Sequence, residues 1–176
     1  AWNNENLPFF YVQLPQWKSY AWTYAREEQL QAMAVEGTGM AVTIDLDNAN
    51  DIHPPNKIDV GERLARWPLA KLYGKKLAFS GPLFREVKIL AGKVLVLFDH
   101  AEDELMAGRI EGIGKIIEDK SGVLHGFELA GKDGVWQPAK AKVKGQIVLV
   151  QSLAVHEPVA VRYACHPEAP KDRPWN

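Results

Sequence analysis

The run LPFFYVQL, residues 7–14, is almost continuously apolar and aromatic. Such runs are typical of strands that a parallel sheet buries on both faces. A helical stretch follows Ser19, which suits an N-cap, and it ends near Gly37, which suits the position just past a helix. A second strand-like run, MAVTIDL, occupies residues 40–46. Strand, helix and strand in this order predict a βαβ unit with parallel pairing and a right-handed crossover.

A second helix is expected to begin near Pro54 or Pro55, because proline is tolerated in the first turn of a helix. Its helical pattern continues to Gly74 and contains Pro68. An interior proline removes one backbone hydrogen bond and costs roughly 3 kcal/mol. The sequence therefore predicts a kink or an early end of this helix at Pro68.

The pattern changes after Ser80, where short β-rich segments are separated by Gly and Asp-Gly turns. This arrangement is typical of an antiparallel β-sandwich. We place the boundary near residues 78–82, which gives a first domain at 1–80 and a second at 81–176. The predicted fold class is α/β plus all-β, with a partial parallel α/β unit followed by an antiparallel β-sandwich.

Composition excludes several classes of function. The chain has 176 residues, is 47% hydrophobic and carries a net charge of −1. This charge balance predicts neither a nucleic-acid partner nor an anionic membrane partner, and no apolar run is long enough to cross a bilayer. The single cysteine, Cys165, excludes an internal disulfide and a cysteine-based zinc site. The start of the chain, without Met or a signal peptide, fits a mature secreted protein or a fragment better than a complete gene product.

The segment DIHPPNK, residues 51–57, holds the strongest candidate for chemistry. Ligands of open α/β sheets bind beyond the carboxyl ends of the strands, so we expect His53 in that crevice as a general base. A capping or surface histidine is the alternative. Asp51 is a candidate to orient the imidazole, although a helix cap would use the same carboxylate. Asp45 and Asp47 compete for the orienting role.

A metal site is not expected. The stretch DLDNAN, beginning at Asp45, resembles the start of a calcium loop, but Asn50 stands where that loop needs Gly and Asn56 stands where it needs Glu. We predict no metal and no cofactor. The remaining histidines are scattered through the second half without ligand spacing and are interpreted as surface or loop residues: His100, His125, His156 and His166.

A nucleophile is harder to find than a base. The candidates are Ser19, Ser80, Ser121, Ser152 and Cys165. None of the serines lies in a G-x-S-x-G or Gly-Asp-Ser setting at a strand-to-helix turn. Cys165 lies in a late strand, far in sequence from any oxyanion-hole candidate. The sequence therefore offers a base without an evident nucleophile.

Several separated motifs carry a family resemblance. LPFFYVQLPQW, REEQ, GMAVTIDLD, DIHPPNKIDVGERLA and SGP occur in this order. They resemble the C-terminal part of bacterial sialate O-acetylesterases, which belong to the SGNH-hydrolase superfamily. In the second half, FELAGKDGVWQPAKAKVKG and EPVAVRYA are similar to the closing strands of that family's sandwich. The resemblance covers nearly the whole chain.

The resemblance implies removal of an acetyl ester from a sugar hydroxyl, outside the cell or in the periplasm. It implies that a serine attacks the acetyl carbonyl and that His53 accepts its proton. The family's serine and oxyanion-hole residues lie in earlier segments that this sequence lacks, so we expect a fragment or one piece of a cleaved enzyme. Two positions depart from the family: Asn50 replaces the Asp three residues before the histidine, and Cys165 replaces a Trp.

The expected partners follow from these points. The substrate would be an O-acetylated sugar, either sialate or a related glycan. A two-stranded parallel unit cannot cover both of its faces, so we also expect a protein partner, either the missing N-terminal half or a second copy. Acetylxylan esterase is one alternative function. A non-catalytic carbohydrate-binding or assembly module is another, with Trp136, Tyr163 and Trp175 as its sugar-stacking face.

Overall fold

The computed structural model describes residues 7–17, 19–46, 51–53 and 55–165. The chain divides into two compact units, residues 1–80 and 81–176. We call them the N-terminal unit and the C-terminal unit. Within the described ranges, no helix combines the length and the apolar character needed to cross a membrane.

The N-terminal unit contains two strands and two helices. In chain order they are β1 (Phe9–Val12), α1 (Tyr20–Gln31), a short 3₁₀ helix (Ala32–Ala34), β2 (Thr38–Ala41) and α2 (Lys57–Lys71). The strands pair in parallel, from Phe9 opposite Thr38 to Val12 opposite Ala41. The predicted parallel βαβ unit is therefore confirmed, with β2 beginning two residues before the predicted run.

The two helices lie on opposite faces of the strand pair. Successive residues of a strand point to opposite faces. The Tyr11 hydroxyl donates to the backbone carbonyl of Gln29 in α1. Its neighbour Phe10 packs instead on Trp67 of α2, with ring centroids 6.4 Å apart. Both faces of this small sheet are thus partly covered by helices of the same unit.

Helix α1 begins at the predicted place. Ser19 occupies the N-cap position with extended dihedrals, φ −148° and ψ 131°. Its carbonyl accepts the N–H of Trp22 at 3.1 Å. The Ser19 side chain makes no capping hydrogen bond. The stabilisation that a serine N-cap usually supplies, about 1 kcal/mol, is therefore not realised at this residue.

Helix α2 begins two residues after Pro55 and ends three residues before Gly74. Its cap is Asn56, whose side chain accepts the N–H of Asp59 at 3.1 Å, so neither proline opens the helix. Pro68 lies inside the last turn, and the helix ends at Lys71. The helix thus continues three residues past the proline and stops before Gly74, so the predicted end at Pro68 itself is not observed.

The C-terminal unit is built from antiparallel strands. They are β3 (Leu83–Leu90), β4 (Lys93–Asp99), β5 (Gly108–Ile110), β6 (Ile116–Glu118), β7 (Val123–Leu124), β8 (Phe127–Ala130), β9 (Trp136–Pro138), β10 (Lys140–Lys144), β11 (Ile147–Gln151) and β12 (Ala160–Tyr163). One sheet has the order β3-β4-β11-β10-β7, a second has the order β12-β8-β9, and β5 pairs with β6.

The two larger sheets share one core. Val94 of β4 and Val150 of β11 come from the five-stranded sheet, and Phe127 and Leu129 of β8 come from the three-stranded sheet. Leu129 and Val150 are completely buried. Burying a side chain of this size stabilises the fold by about 1.5–3 kcal/mol. The predicted antiparallel sandwich is confirmed, whereas the β5–β6 pair was not predicted.

Candidate functional site

The carboxyl ends of the two parallel strands are tied together. Thr43, which follows β2, is fully buried. Its hydroxyl donates to the carbonyl of Gln13, which follows β1, at 2.9 Å. The Gln13 side chain in turn donates to the carbonyl of Arg26 in α1 at 3.1 Å. Hydrogen bonds therefore fix the residues that directly follow β1 and β2, before the chain reaches Asp51 and His53.

Asp51 and His53 are in direct contact. The backbone N–H of His53 donates to Oδ1 of Asp51 at 2.9 Å. The ring atom Nδ1 of His53 also lies 2.9 Å from that oxygen. One carboxylate oxygen thus fixes both the backbone turn and the ring. This is the geometry expected of an acid that orients an imidazole, and it also forms a local Asx turn.

The imidazole is nevertheless open to solvent. The side chain of His53 is 76% exposed and that of Asp51 is 61% exposed. We expected His53 in a crevice, but the described residues do not enclose it. Connections between a strand and a helix usually run over the surface, and their side chains remain exposed unless another segment covers them.

The pKa of the Asp51 carboxyl is held below its usual range. The main cause is the hydrogen bond from the His53 backbone N–H, followed by the hydrogen bond from the His53 ring. Asp51 is therefore ionised at neutral pH and can only accept hydrogen bonds. A neutral His53 then carries its proton on Nδ1, facing Asp51, which leaves the lone pair of Nε2 free to accept a proton.

The competing acids are placed differently. Asp45 receives two hydrogen bonds from Arg63, at 2.6 and 2.7 Å. Its carboxylate is engaged by a cation and does not orient an imidazole among the described residues. Asp47 lies outside the described residues. Asp51 is therefore the acid that the structure brings to His53.

Three of the candidate nucleophiles form hydrogen bonds with the backbone through their hydroxyl or thiol: Ser121, Ser152 and Cys165. Ser19 occupies the α1 cap position, and Ser80 is the last residue of the N-terminal unit. Ser121 and Ser152 lie in turns where their hydroxyls bond the backbone. The Cys165 thiol donates to a backbone carbonyl two residues earlier. These contacts match the interpretation of the two turn serines as structural.

The other described histidines lie between strands of the C-terminal unit. His100 and His125 are half-buried and His156 is exposed, while His166 lies outside the described residues. Across the ranges that the structure describes, no three His, Cys, Asp or Glu side chains form a group able to hold a metal ion.

The proposed sugar-stacking aromatic residues do not form one open platform. The Arg162 guanidinium covers a face of Trp136, 4.4 Å from the ring centroid. Tyr163 packs on Phe127, with centroids 4.6 Å apart, beside the sandwich core. Trp175 lies outside the described residues. Two of the three rings are therefore engaged by other side chains of the protein.

Arg63 was missed in the sequence, although a signal for it exists. Asp59, Arg63 and Trp67 recur at intervals of four residues, so they share one face of α2. Asp59 and Trp67 are buried, and Arg63 is half-buried between them. A charged residue on a helix face that also carries a tryptophan indicates a specific partner, because buried charges are paired.

No protein-family model and no curated protein matches this sequence. A solved structure does match: the crystal structure of a carbohydrate acetylesterase from Xanthomonas citri, with a TM-score of 0.79. The two sequences are 37% identical over 94% of this chain. The chain spans 37% of the length of that esterase.

Proposed function

We propose that this chain contributes the general base of a carbohydrate O-acetylesterase with a serine-hydrolase mechanism. The observation that carries the proposal is the likeness to a carbohydrate acetylesterase over 94% of the chain. The Asp51–His53 pair supports it, because Nδ1 faces a carboxylate oxygen at 2.9 Å. Such a pair is the base and orienting acid that acyl transfer to serine requires.

In this mechanism Asp51 accepts the Nδ1–H of His53 and keeps Nε2 available. As a serine Oγ attacks the acetyl carbonyl, Nε2 takes the serine proton. The imidazolium then gives that proton to the sugar oxygen, and the C–O bond of the ester breaks. Water attacks the acetyl-serine with His53 again as base, which releases acetate and restores the serine. Ionised Asp51 stabilises the imidazolium in both steps.

We further propose that the serine lies outside the present sequence. Among the described serines, none occupies a strand-to-helix turn of the nucleophile type. The chain matches 37% of the neighbouring esterase, so that esterase has ample further chain for a nucleophile and an oxyanion hole. The finer substrate in this proposal is an O-acetylated sialate or a related glycan, with acetylated xylan as its competitor.

The test uses the full enzyme that contains this chain and measures release of acetate from acetylated sialate, acetylated xylan and 4-nitrophenyl acetate. His53→Ala is expected to lower kcat by at least about 10²-fold, since general-base help is worth about 10²–10⁴. Asp51→Ala is expected to cost less, because it removes only the orienting group. His156→Ala, at another exposed histidine, is the matched control and should leave kcat unchanged.

Two results would decide against the proposal. A His53→Ala enzyme with near-normal kcat would remove His53 from the mechanism. The chain by itself should hydrolyse 4-nitrophenyl acetate barely faster than free imidazole, because even one oxyanion-hole donor is worth about 10²–10³ in rate. Saturable turnover of the isolated chain, lost in His53→Ala, would place the nucleophile within this sequence, with Ser80 the first residue to replace.

A further inference from the structure

Arg63 joins helix α2 to the segment that leaves β2. Its Nη1 donates to the carbonyl of Val42 at 2.8 Å and to Oδ1 of Asp45 at 2.6 Å. Its Nη2 donates to Oδ2 of Asp45 at 2.7 Å. The guanidinium and the carboxylate thus meet in the two-pronged geometry that gives charge-assisted pairs both strength and direction. We call these three residues the Arg63 clamp.

The clamp joins the two ends of the connection between β2 and α2. Val42 and Asp45 lie on the N-terminal side of the connection between β2 and α2, and Arg63 lies on its C-terminal side. Asp51 and His53 lie on that connection. One side chain therefore fixes both ends of the segment that presents the imidazole.

Neighbouring bonds hold the two anchors in place. On the strand side, the Thr43 hydroxyl is bonded to the carbonyl of Gln13 at 2.9 Å. On the helix side, Nε1 of Trp67 donates to the carbonyl of Met40 at 2.9 Å. The clamp thus connects the end of β2 to α2, and both of its anchors are held by further hydrogen bonds.

The guanidinium stays charged throughout the working range of an esterase. Burial by itself lowers the pKa of Arg63, but the hydrogen bonds and charge of Asp45, with the charges of Asp59 and Glu62, outweigh burial and raise the pKa. The clamp therefore does not open through loss of the arginine proton at neutral or mildly alkaline pH.

We propose that Arg63 is a positioning residue, which sets the place of the Asp51–His53 pair by holding Asp45 and Val42 against α2. The inference rests on the proposed esterase function for its effect on turnover. Its effect on the backbone rigidity of residues 51–53 rests on geometry alone. A displacement of about 1 Å of a catalytic group can cost 10²-fold in rate, so the clamp acts on turnover without touching substrate.

The kinetic test replaces Arg63 in the full enzyme. Arg63→Met is expected to lower kcat by about 10–100-fold with little change in KM. Arg63→Lys should recover only part of this loss, because lysine keeps the charge but not the planar fork. The matched control is Arg66→Met, since Arg66 lies one turn away on the same helix, pairs with Glu62 at 2.6 Å and is more exposed. Its kcat should stay within about twofold of wild type.

The second test needs no activity. NMR relaxation of the amides of residues 51–53 should report rigid backbone in the wild type and in Arg66→Met, with order parameters near 0.85, and flexible backbone below about 0.6 in Arg63→Met. Arg63→Lys, which keeps the charge, serves where Arg63→Met fails to fold.

The two tests distinguish an error in the proposed function from an error in the positioning role of Arg63. If His53→Ala leaves turnover intact, the proposed function is wrong and the relaxation data still judge the clamp. If Arg63→Met keeps wild-type order at residues 51–53, the positioning role is overturned whatever happens to kcat. A loss of kcat equal in Arg63→Met and Arg66→Met would overturn it as well, because the effect would then not depend on the clamp.

Discussion

Replacing Gly39 by alanine should lower the free energy of unfolding of the N-terminal unit by about 2–3 kcal/mol. Gly39 lies in β2 opposite Phe10. A Cβ atom at Gly39 would lie 2.5 Å from Cδ2 of Trp67 and 2.9 Å from Cδ1 of Phe10. Carbon atoms pack best at about 3.5–4.0 Å, so the tryptophan ring would have to move by about 1 Å.

The magnitude follows from how firmly that ring is held. Trp67 is 4% exposed, and its Nε1 donates to the carbonyl of Met40 at 2.9 Å. Phe79 also packs on this ring, with centroids 4.8 Å apart. Moving the ring weakens a hydrogen bond worth about 1 kcal/mol and disturbs both aromatic contacts. Overpacking costs about 1–3 kcal/mol in general, and this site belongs at the upper end.

The measurement is hydrogen exchange of the β1 and β2 amides together with urea unfolding. Gly61→Ala is the matched control, because Gly61 lies within α2 and an added Cβ there meets nothing within 4 Å. That variant should gain about 0.5–1 kcal/mol from helix propensity. The reasoning is refuted if Gly39→Ala is as stable as wild type, or if it costs as much in a Trp67→Leu background as in the wild type.

Two further predictions concern buried and exposed polar groups. Gln16 is 2% exposed, and neither polar atom of its side chain has a hydrogen-bond partner among the described residues. Gln16→Leu should therefore raise the free energy of unfolding by about 1 kcal/mol, measured as a higher thermal midpoint. A large loss of stability would mean that the amide is hydrogen-bonded. The Asp51 carboxyl should titrate below the usual aspartate range in a carbon-13 NMR titration, so the small stability that it contributes is present above its unfolded-state pKa and lost as the pH falls through its folded-state pKa. His53→Ala should return the midpoint only part of the way, because the backbone N–H of residue 53 is the larger cause, and a full return would contradict this order of causes.

The strand patterns were strong enough to predict the fold class, a partial parallel α/β unit followed by an antiparallel sandwich. LPFFYVQL and MAVTIDL gave the parallel pair, because near-continuous apolar runs are typical of parallel strands, although no residue of β1 is fully buried and Phe9 is 65% exposed. The predicted end of the second run was wrong, since β2 stops at Ala41. The carbonyl of Val42 is bonded by Arg63 and the side chain of Thr43 bonds Gln13. These contacts come from elements distant in sequence, and no local pattern reveals them.

The geometry of the candidate site could be predicted only in part, and the catalytic roles of its residues stay a prediction. The Asp51–His53 contact joins residues two apart, so its spacing is visible in the sequence, although its role came from a resemblance. The link from Arg63 to Asp45 spans eighteen residues. Helical periodicity places Arg63 on the face of α2 that also carries Trp67. It does not predict which residue of another element contacts that face. The exposure of His53 likewise depends on which segments cover it.

The central pairing of the sandwich has a consequence for how the protein is made. Strand β4 (Lys93–Asp99) lies between its hairpin partner β3 and strand β11 (Ile147–Gln151). Ribosomes add about 5–20 residues per second, so the β3–β4 hairpin emerges several seconds before β11 does. During that delay Val94 and Val96 have no strand to complete their sheet. Closing so long a loop is also slow in refolding, because contacts between distant residues limit the rate. We therefore expect molecular chaperones to act mainly during the interval between synthesis of the β3–β4 hairpin and synthesis of β11.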